Sequence, residues 1–386
     1  MDMTKAFDNV KHSLLFKKLL DGGLPVIVIR LLLFMYKNQR ANVRWGSSLS
    51  TSFGMSNGVK QGAVLSAILY CFYCNELFQL LRKKRTGCWV QGEFHGAVGY
   101  ADDNLIMSPS LEGLQEMVST CEEYANSHNL QFSTNIDPKK SKTKCIEFLK
   151  TNRRLSKIKL NGNSLPFVTN AKHLGNTIEN DSHFTAKDIK IKRARYIQRN
   201  NEINQEFNFA NFSTKCLLNS IYNLSFSGSS LWDLFSNEAD SLVNTYSLSV
   251  KIMCNIPRET HRYLIEPISE RKHLKFILIK RFLGFKNQVS RCPKSIIKKF
   301  FKICQYDANS ITGSNFRKIM LLCKKTHIDQ IVETDIDNLT YCETPANEEW
   351  RLSLVKDLIE AIYDPEVLPG FSYAEITDML EFTCVS

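Results

Sequence analysis

The sequence lacks an uninterrupted apolar run long enough to cross a bilayer. The longest apolar stretch, Val26 to Met35, is broken by Arg30 and is shorter than the about 20 residues that a membrane-spanning helix needs. Pro25 at its start predicts instead the opening of a buried helix. Since no signal peptide or transit sequence is recognisable either, we expect an intracellular protein, nuclear or cytoplasmic, that is not secreted and has no transmembrane segment.

A regular cysteine framework is also missing. The 12 cysteines are scattered, which favours free thiols in a reducing compartment over a disulfide-bonded domain. Cys71 and Cys74 form a Cys-x-x-Cys pair inside an apolar run, but no second Cys or His pair follows at ligand spacing. Packing in a core helix therefore explains this pair better than zinc binding does.

Acidic residues are scarce in the middle of the chain. Residues 151–300 carry 25 Lys and Arg against 11 Asp and Glu, whereas residues 1–150 carry 18 against 13 and residues 301–386 carry 7 against 15. The middle region has a net charge of +14, more than the +11 of the whole chain. Such a surface suits a phosphate backbone, which binds cations with release of counterions. On charge alone, a solvated helix face is the alternative.

Two adjacent carboxylates, Asp102 and Asp103, lie between the short apolar runs 97–99 and 105–107. This pattern predicts the tight turn of a β-hairpin. Asp2, a hundred residues upstream, could supply a third carboxylate from a neighbouring strand. Three hard oxygen ligands suit two Mg²⁺ ions about 4 Å apart, which hold the attacking and leaving oxygens of a phosphoryl transfer. An isolated Asp-Asp pair is also common in solvated turns.

Three segments, taken in order, resemble motifs A, B and C of reverse transcriptases. Their spelling is similar to that of the non-LTR (LINE-type, jockey-like) retrotransposon branch: Asp2-Met3-Thr4-Lys5-Ala6-Phe7-Asp8, Gly58-Val59-Lys60-Gln61-Gly62-Ala63-Val64-Leu65-Ser66 and Tyr100-Ala101-Asp102-Asp103. Further downstream, residues 138–144 with Phe148 resemble motif D, and residues 173–178 resemble motif E. The specific motifs span roughly residues 1–180.

The resemblance implies catalytic roles for four residues. Asp2 and Asp102 would be the principal ligands of two Mg²⁺ ions, for which Mn²⁺ could substitute, and Asp103 would be a supporting carboxylate beside them. Lys142 matches the motif D lysine, a cation that neutralises charge developing on the leaving pyrophosphate.

It also implies a nucleotide-binding set. Phe7 falls where the family places the aromatic ring that packs under the incoming sugar and excludes a 2′-hydroxyl. Gln61 and Gly62 match the motif B pair that lines the nucleotide and template pocket, where glycine allows close backbone approach.

Two departures from the family pattern stand out. Ala67 takes the place of the usual proline after Leu65-Ser66, which should relax a local turn. Asp2 follows directly on Met1, whereas the family places a fingers region and part of the palm before this aspartate. We therefore expect a piece of a polymerase, from a truncated element copy or an incomplete gene model.

The predicted fold is α+β. A right-hand polymerase palm, with a mixed or antiparallel sheet backed by helices, spans residues 1–180. A basic, all-helical, thumb-like region follows at 181–300, and an acidic helical extension of unassigned chemistry follows at 301–386. For the thumb-like region we predict nucleic-acid contacts from the basic residues that open its first helix: Lys187, Lys190, Lys192, Arg193 and Arg195.

Hydrophobic patterning predicts individual elements in the first region. Helices are predicted at 12–20, 25–39, 63–81 and 111–128, a hairpin at 41–45 with 49–53, and short strands at 145–149, 157–160, 165–169 and 173–178.

The function that the resemblance implies is RNA-directed DNA synthesis, with an RNA template, a DNA primer and deoxynucleoside triphosphates as partners and no membrane partner. A group II intron maturase or a telomerase-like polymerase is an alternative, because their palms share the carboxylates. The third possibility is an inactive remnant that only binds nucleic acid.

Overall fold

A computed structural model gives the architecture and describes residues 1–337 except 91, 136, 138–139, 149–156, 181–184, 224–225, 262–263, 267–271, 293–295 and 308. The chain divides after Leu174 into two compact units. We call residues 1–174 the N-terminal unit and the described residues from 175 onwards the C-terminal unit.

The N-terminal unit contains four long helices, of which the apolar α3 lies at the centre of the core. The four are α1 (His12–Asp21), α2 (Val26–Lys37), α3 (Val64–Lys83) and α4 (Leu111–Ser127). They confirm the positions of the predicted helices to within a few residues. The prediction that the helix after Pro25 is buried is wrong, because only Ile29 and Leu32 of α2 are buried and its other apolar side chains are exposed or half-buried.

Helix α3 buries Tyr70, Tyr73, Cys74 and Leu77, and α1 and α4 pack against it. Burial of Cys74, whose pKa is raised to about 11 by desolvation, confirms the packing explanation for that cysteine. For Cys71 the explanation is wrong, because this residue lies on the exposed face of α3.

Helix α3 is also the one described helix long and apolar enough, by length and composition, to cross a membrane. Its buried residues belong to the main hydrophobic core of the N-terminal unit. A core helix passes the same composition test, so this feature is weak support for a membrane span.

Within the described residues, twelve short strands form six two-stranded ladders. These are β1 (Arg40–Ala41) with β4 (Phe53–Gly54), β2 (Arg44–Trp45) with β3 (Ser48–Leu49), β5 (Trp89–Val90) with β6 (Glu93–Phe94), β7 (Ala97–Tyr100) with β8 (Asp103–Ile106), β9 (Lys159–Leu160) with β10 (Asn163–Ser164), and β11 (Asn170–His173) with β12 (Asn176–Glu179). The hairpin predicted around Gly46 is confirmed by the first two ladders.

The first four residues extend the β7–β8 hairpin into a larger sheet. Met1 and Asn104 exchange both of their backbone hydrogen bonds, the pattern of an antiparallel pair. On the other side, Met3 forms an antiparallel bridge with Phe132. Residues 1–4 therefore run between β8 and residues 131–133, and both Met3 and Phe132 are buried.

Three strand predictions need correction. Cys145 and Phe167 form a single parallel bridge in place of the strands predicted at 145–149 and 165–169, of which Leu149 lies outside the described residues. The strand predicted at 173–178 is a hairpin turn. Leu174 and Gly175 have φ of 47° and 80°, and two successive residues with positive φ close a two-residue hairpin.

The C-terminal unit is helical after β12. Its helices are α5 (Ala186–Glu206), α6 (Phe212–Asn223), α7 (Asn237–Cys254), α8 (Leu274–Arg291), α9 (Ile296–Tyr306), α10 (Ile311–Leu322) and α11 (Glu333–Asp337). They enclose a second core that contains Trp232, Phe282 and Phe316. The predicted boundary at 300/301 falls inside α9. Of the predicted acidic extension, residues 338–386 lie outside the described residues.

A buried ion pair lies at the start of α5. Lys192 Nζ is 2.7 Å from Asp188 Oδ2, and both side chains are less than a tenth exposed. Trp232 Nε1 and the backbone N–H of Thr177 also donate to the Asp188 carboxylate, at 2.8 and 2.9 Å. The prediction that Lys192 contacts nucleic acid is therefore wrong, because its ammonium group is enclosed by these partners and by Asn176.

Replacing Asp188 by Asn should destabilise the C-terminal unit by about 3–5 kcal/mol, since the buried ammonium of Lys192 then lacks its counter-charge. Urea unfolding followed by tryptophan fluorescence measures this loss. The matched control is Lys190→Gln, which removes a solvent-exposed pair with Glu238 at 3.3 Å and should cost at most about 1 kcal/mol. Equal stability of the two variants would contradict a structural role for the buried pair.

Candidate active site

The motif C carboxylates lie at the end of the β7–β8 hairpin. Tyr100 pairs with Asp103, so Ala101 and Asp102 form the two-residue turn. Ala101 has φ of 54°, a left-handed conformation that is uncommon for a residue with a side chain. The side-chain amide of Asn104 is buried and donates to the backbone carbonyl of Asp102 at 3.1 Å, which fixes the turn. The sequence-based prediction of a hairpin here is confirmed.

Asp2 lies on the strand next to this hairpin. Because Met1 and Asn104 form a hydrogen-bonded antiparallel pair, Asp2 and Asp103 are the next, non-hydrogen-bonded pair. Residues in such a pair bring their Cβ atoms within about 4.5–5.5 Å. Two of the three predicted carboxylates are thus directly opposite each other on neighbouring strands.

The donor chemistry fits divalent cations that prefer oxygen ligands. Asp2 and Asp103 are cross-strand neighbours, and Asp102 occupies the adjoining turn. Over the described ranges, no group of three or more His, Cys, Asp and Glu side chains is gathered closely enough to hold a metal ion. The residues have the right chemistry and order, and a two-metal site made from them is a proposal.

Motif D is anchored to motif A. Lys142 Nζ is 3.8 Å from Asp2 Oδ2, and its side chain is 72% exposed. The backbone N–H of Asp2 donates to Thr143 Oγ1 at 3.3 Å, and Thr143 is fully buried. The buried threonine fixes the backbone, while the exposed neighbouring lysine can extend toward an anion. Sequence reasoning missed Thr143, which the polar run 141–144 does not distinguish from its neighbours.

Motif B starts directly against motif A. The backbone N–H groups of Gly58 and Val59 donate to the carbonyls of Val10 and Phe7, both at 2.8 Å. Gly58 has φ of 88°, and a Cβ there would approach the backbone oxygen of Asp8 to 3.0 Å. Glycine is therefore required at position 58 for both conformation and space.

The two predicted pocket residues of motif B follow in an exposed loop. The side-chain amide of Gln61 is 3.5 Å from Asp8 Oδ1. Gly62 has φ of 81°, and a Cβ at this position would meet no atom within 4 Å, so its backbone faces open space. In motif B, therefore, Gln61 contacts Asp8 of motif A, and the backbone at Gly62 is accessible.

The ring of Phe7 stacks on Tyr70 of α3, with centroids 4.9 Å apart and an interplanar angle of 17°. Tyr70 is buried, and its hydroxyl donates to Met3 Sδ at 2.8 Å. Burial raises the pKa of Tyr70 far above its ordinary value, so the ring stays neutral. The sequence analysis missed Tyr70, because α3 contains three other aromatic residues and nothing in the sequence distinguishes Tyr70 from them.

His12 is a third residue that the motifs did not reveal. Its Nε2 lies 2.7 Å from the carbonyl oxygen of Gly58, so the imidazole donates across from the start of α1 to motif B. The ring also packs edge-on against Tyr36. Its position four residues after Asp8 is the available sequence signal.

The five residues predicted to contact nucleic acid on α5 differ in how far their side chains are exposed. Lys190 and Arg195 are exposed, and Lys187 is half-buried. Arg193 is also half-buried, and its Nε donates to Thr245 Oγ1 at 2.6 Å. With Lys192 buried, three of the five residues have side chains that can meet a phosphate without repacking.

Known proteins match the segment that carries these motifs. Residues 1–178 match the family described as reverse transcriptase (RNA-dependent DNA polymerase). The chain is 28% identical over 122 residues to the retrovirus-related Pol polyprotein from type-1 retrotransposable element R2 of Nasonia vitripennis, which covers 32% of this chain and 12% of that protein. It is 37% identical over 79 residues to the probable RNA-directed DNA polymerase from transposon X-element of Drosophila melanogaster, covering 20% and 9%.

A third relative is the transposon TX1 uncharacterized 149 kDa protein of Xenopus laevis, 31% identical over 127 residues that cover 32% of this chain and 10% of that protein. The matches thus span about a tenth of the length of these relatives. The family match and the retrotransposon relatives confirm the resemblance seen in the motifs. Residues 1–178 thus match the reverse transcriptase family, and the relatives place the similarity in its non-LTR retrotransposon branch.

Proposed function

We propose that this chain carries the palm of an RNA-directed DNA polymerase, which adds deoxynucleotides to a primer 3′-hydroxyl on an RNA template. The observation that carries the proposal is the pair of backbone hydrogen bonds between Met1 and Asn104, whose antiparallel register supports a position of Asp2 of motif A opposite Asp103 of motif C. Motif B, bonded to motif A through Gly58 and Val59, lies beside that pair.

Asp2, Asp102 and Asp103 would hold two Mg²⁺ ions. When bound, the ions supply charge neutralisation for the attacking and leaving oxygens of the displacement. Lys142, with its exposed side chain close to Asp2, adds positive charge where pyrophosphate departs.

The nucleotide would be positioned by motifs A and B. The Phe7 ring, held flat by Tyr70, forms a surface against which the sugar packs, and a 2′-hydroxyl would collide with it. The exposed backbone at Gly62 permits close approach of the base pair. These contacts orient the substrate, which accounts for much of phosphoryl-transfer catalysis.

The basic helices supply the affinity for nucleic acid. Lys187, Lys190 and Arg195 on α5 would contact phosphates, and each neutralised phosphate contributes through counterion release. Such contacts fix the position of the strand without reading its sequence.

A second candidate is nucleic-acid binding without synthesis. It is favoured by the position of Lys142, whose ammonium group already faces the Asp2 carboxylate at 3.8 Å, and by the absence, among described residues, of a gathered three-carboxylate cluster. The two candidates differ in one measurable property, which is primer extension.

Replacing Asp103 or Asp102 by Asn should lower primer extension by at least a hundred-fold while RNA binding persists, because the shape stays and the ligand charge is lost. Extension of a DNA primer on an RNA template with Mg²⁺ measures this, in this chain and in any longer protein that its reading frame encodes. Asp21→Asn, an exposed carboxylate at the end of α1, is the matched control. Undiminished primer extension in the Asp102 and Asp103 variants would exclude the proposed site. If no protein tested extends a primer and RNA binding is intact, the result favours the second candidate.

Shortening Phe7 to Val should increase incorporation of ribonucleotides relative to deoxynucleotides, because the proposed barrier to the 2′-hydroxyl is the ring. Competition between labelled rATP and dATP in the same extension assay measures the ratio. Tyr70→Phe keeps the stacked ring and loses only the hydroxyl bonded to Met3, so discrimination should change little. Identical discrimination in the Phe7 variant and the parent would place sugar selection elsewhere.

Replacing Lys190 and Arg195 together by Gln should lower the slope of log affinity against log salt by about 1.8, from about 0.9 for each lost phosphate contact on duplex. Fluorescence anisotropy of a labelled RNA–DNA hybrid between 50 and 200 mM salt measures it. The control is Lys298→Gln, an exposed lysine of α9 outside the predicted set. A slope that falls no further than in the control would mean that the α5 charges are only solvated.

A further inference from the structure

Residues 40–54 form a β-arm that precedes motif B. Strands β1 and β4 pair at its base, β2 and β3 pair near its tip, and Gly46 with φ of 59° turns the chain there. Between the ladders, Ser50 and Val43 exchange hydrogen bonds, with the Ser50 N–H donating to the Val43 carbonyl and the Val43 N–H to Ser50 Oγ, both at 2.9 Å. The arm is thus hydrogen-bonded along its length.

The side chains of this arm lie in solvent. Every residue from 42 to 54 is exposed. Trp45, next to the tip, is 86% exposed, and Leu49 and Phe53 are 67% and 49% exposed. A tryptophan this exposed forgoes a large burial energy. Large apolar side chains left in solvent along one short segment indicate a candidate binding surface.

The charged residues in the stretch of sequence that contains the arm have one sign. No Asp or Glu occurs between Asp21 and Glu76, whereas this stretch contains Arg30, Lys37, Arg40, Arg44 and Lys60. Arg40 and Arg44 are on the arm itself and are exposed. A surface with exposed arginines and aromatics and without carboxylates complements a polyanion that carries flat rings.

The tip brings both kinds of side chain together. Arg44 and Trp45 are successive residues of β2, paired across the turn with Leu49 and Ser48, so they project to opposite faces. Arg44 Nε donates to the Gly46 carbonyl at 3.2 Å, which keeps the guanidinium beside the tip. A strand that wraps around the tip can meet the indole on one face and the guanidinium on the other.

We propose that this β-arm binds single-stranded RNA, with a base stacked on Trp45 and phosphates contacted by Arg40 and Arg44. Aromatic stacking with flanking cations is the mode by which single strands are bound without sequence preference. The choice of RNA rests on the proposed function, in which the unpaired strand is the template. The arm returns directly to motif B, the segment that would meet the templating base, through residues 55–58.

The test is binding of a fluorescein-labelled 20-nucleotide single-stranded RNA, without Mg²⁺ or nucleotides, to the full chain. Trp45→Ala should weaken binding about ten-fold, within the range for loss of one stacked base, and Trp45→Phe should recover most of it. Arg44→Gln should lower the salt slope by about 0.7, the value for one phosphate of a single strand. Binding of double-stranded RNA, which offers no free base, should not change in the Trp45 variants.

Arg30→Gln is the matched control, an exposed arginine of the same acid-free stretch on α2 rather than on the arm. Because Trp45 is exposed, its alanine variant should unfold at the same urea concentration as the parent. The proposal is overturned if Trp45→Ala binds RNA no more weakly than Arg30→Gln. It is equally overturned if the parent sediments as a dimer, Trp45→Ala sediments as a monomer and the RNA affinity is unchanged. The arm would then bind a second copy of the chain. Asp103→Asn should leave this affinity intact, so failure of catalysis and failure of the arm are separable.

Discussion

The candidate site depends on one backbone interaction, the insertion of residues 1–4 between β8 and residues 131–133. The paired N–H and C=O groups of Met1 and Asn104 set the register on one side, and the Met3–Phe132 bridge sets it on the other. A shift of one residue would turn Asp2 away from Asp103, since side chains alternate between the two faces of a sheet. Burial of Met3 and Phe132 against α3 opposes such a shift, so packing on one face fixes carboxylate geometry on the other.

Local chemistry explains what could be predicted from the sequence. Helices α1 to α4 were predicted from their apolar periodicity, and two hairpins were predicted from the turn residues at Gly46 and at Ala101-Asp102. These features act within a few residues of sequence, and the predictions are confirmed. The motifs identified the family, because their residue types and order are set by the reaction. The strands expected at 145–149 and 165–169 did not form ladders. The backbone groups of Cys145 are already paired with Pro166 and Val168 through a single bridge, and the exposed Phe148 has no burial that would extend the pairing.

What could not be predicted involves partners distant in sequence. Lys192 and Lys190 carry the same charge in the same basic run of α5. Lys192 is nevertheless buried, because Asp188 and Trp232 lie around it. Tyr70 and His12 act through Phe7 and Gly58, contacts across 63 and 46 residues of sequence. Periodicity within one helix carries no information about such partners. A basic helix therefore shows which face could meet phosphate only after its buried partners are known.

The base of the β-arm has a consequence for how this protein can change. The Met55 N–H donates to the Gln39 carbonyl at 3.1 Å, so the chain leaves and re-enters the N-terminal unit at nearly the same point. Insertions or deletions at the tip are then absorbed within the arm and leave Gly58 in place against Val10. A change in the length of the arm therefore leaves motif B in position, so strand binding and catalysis can evolve independently.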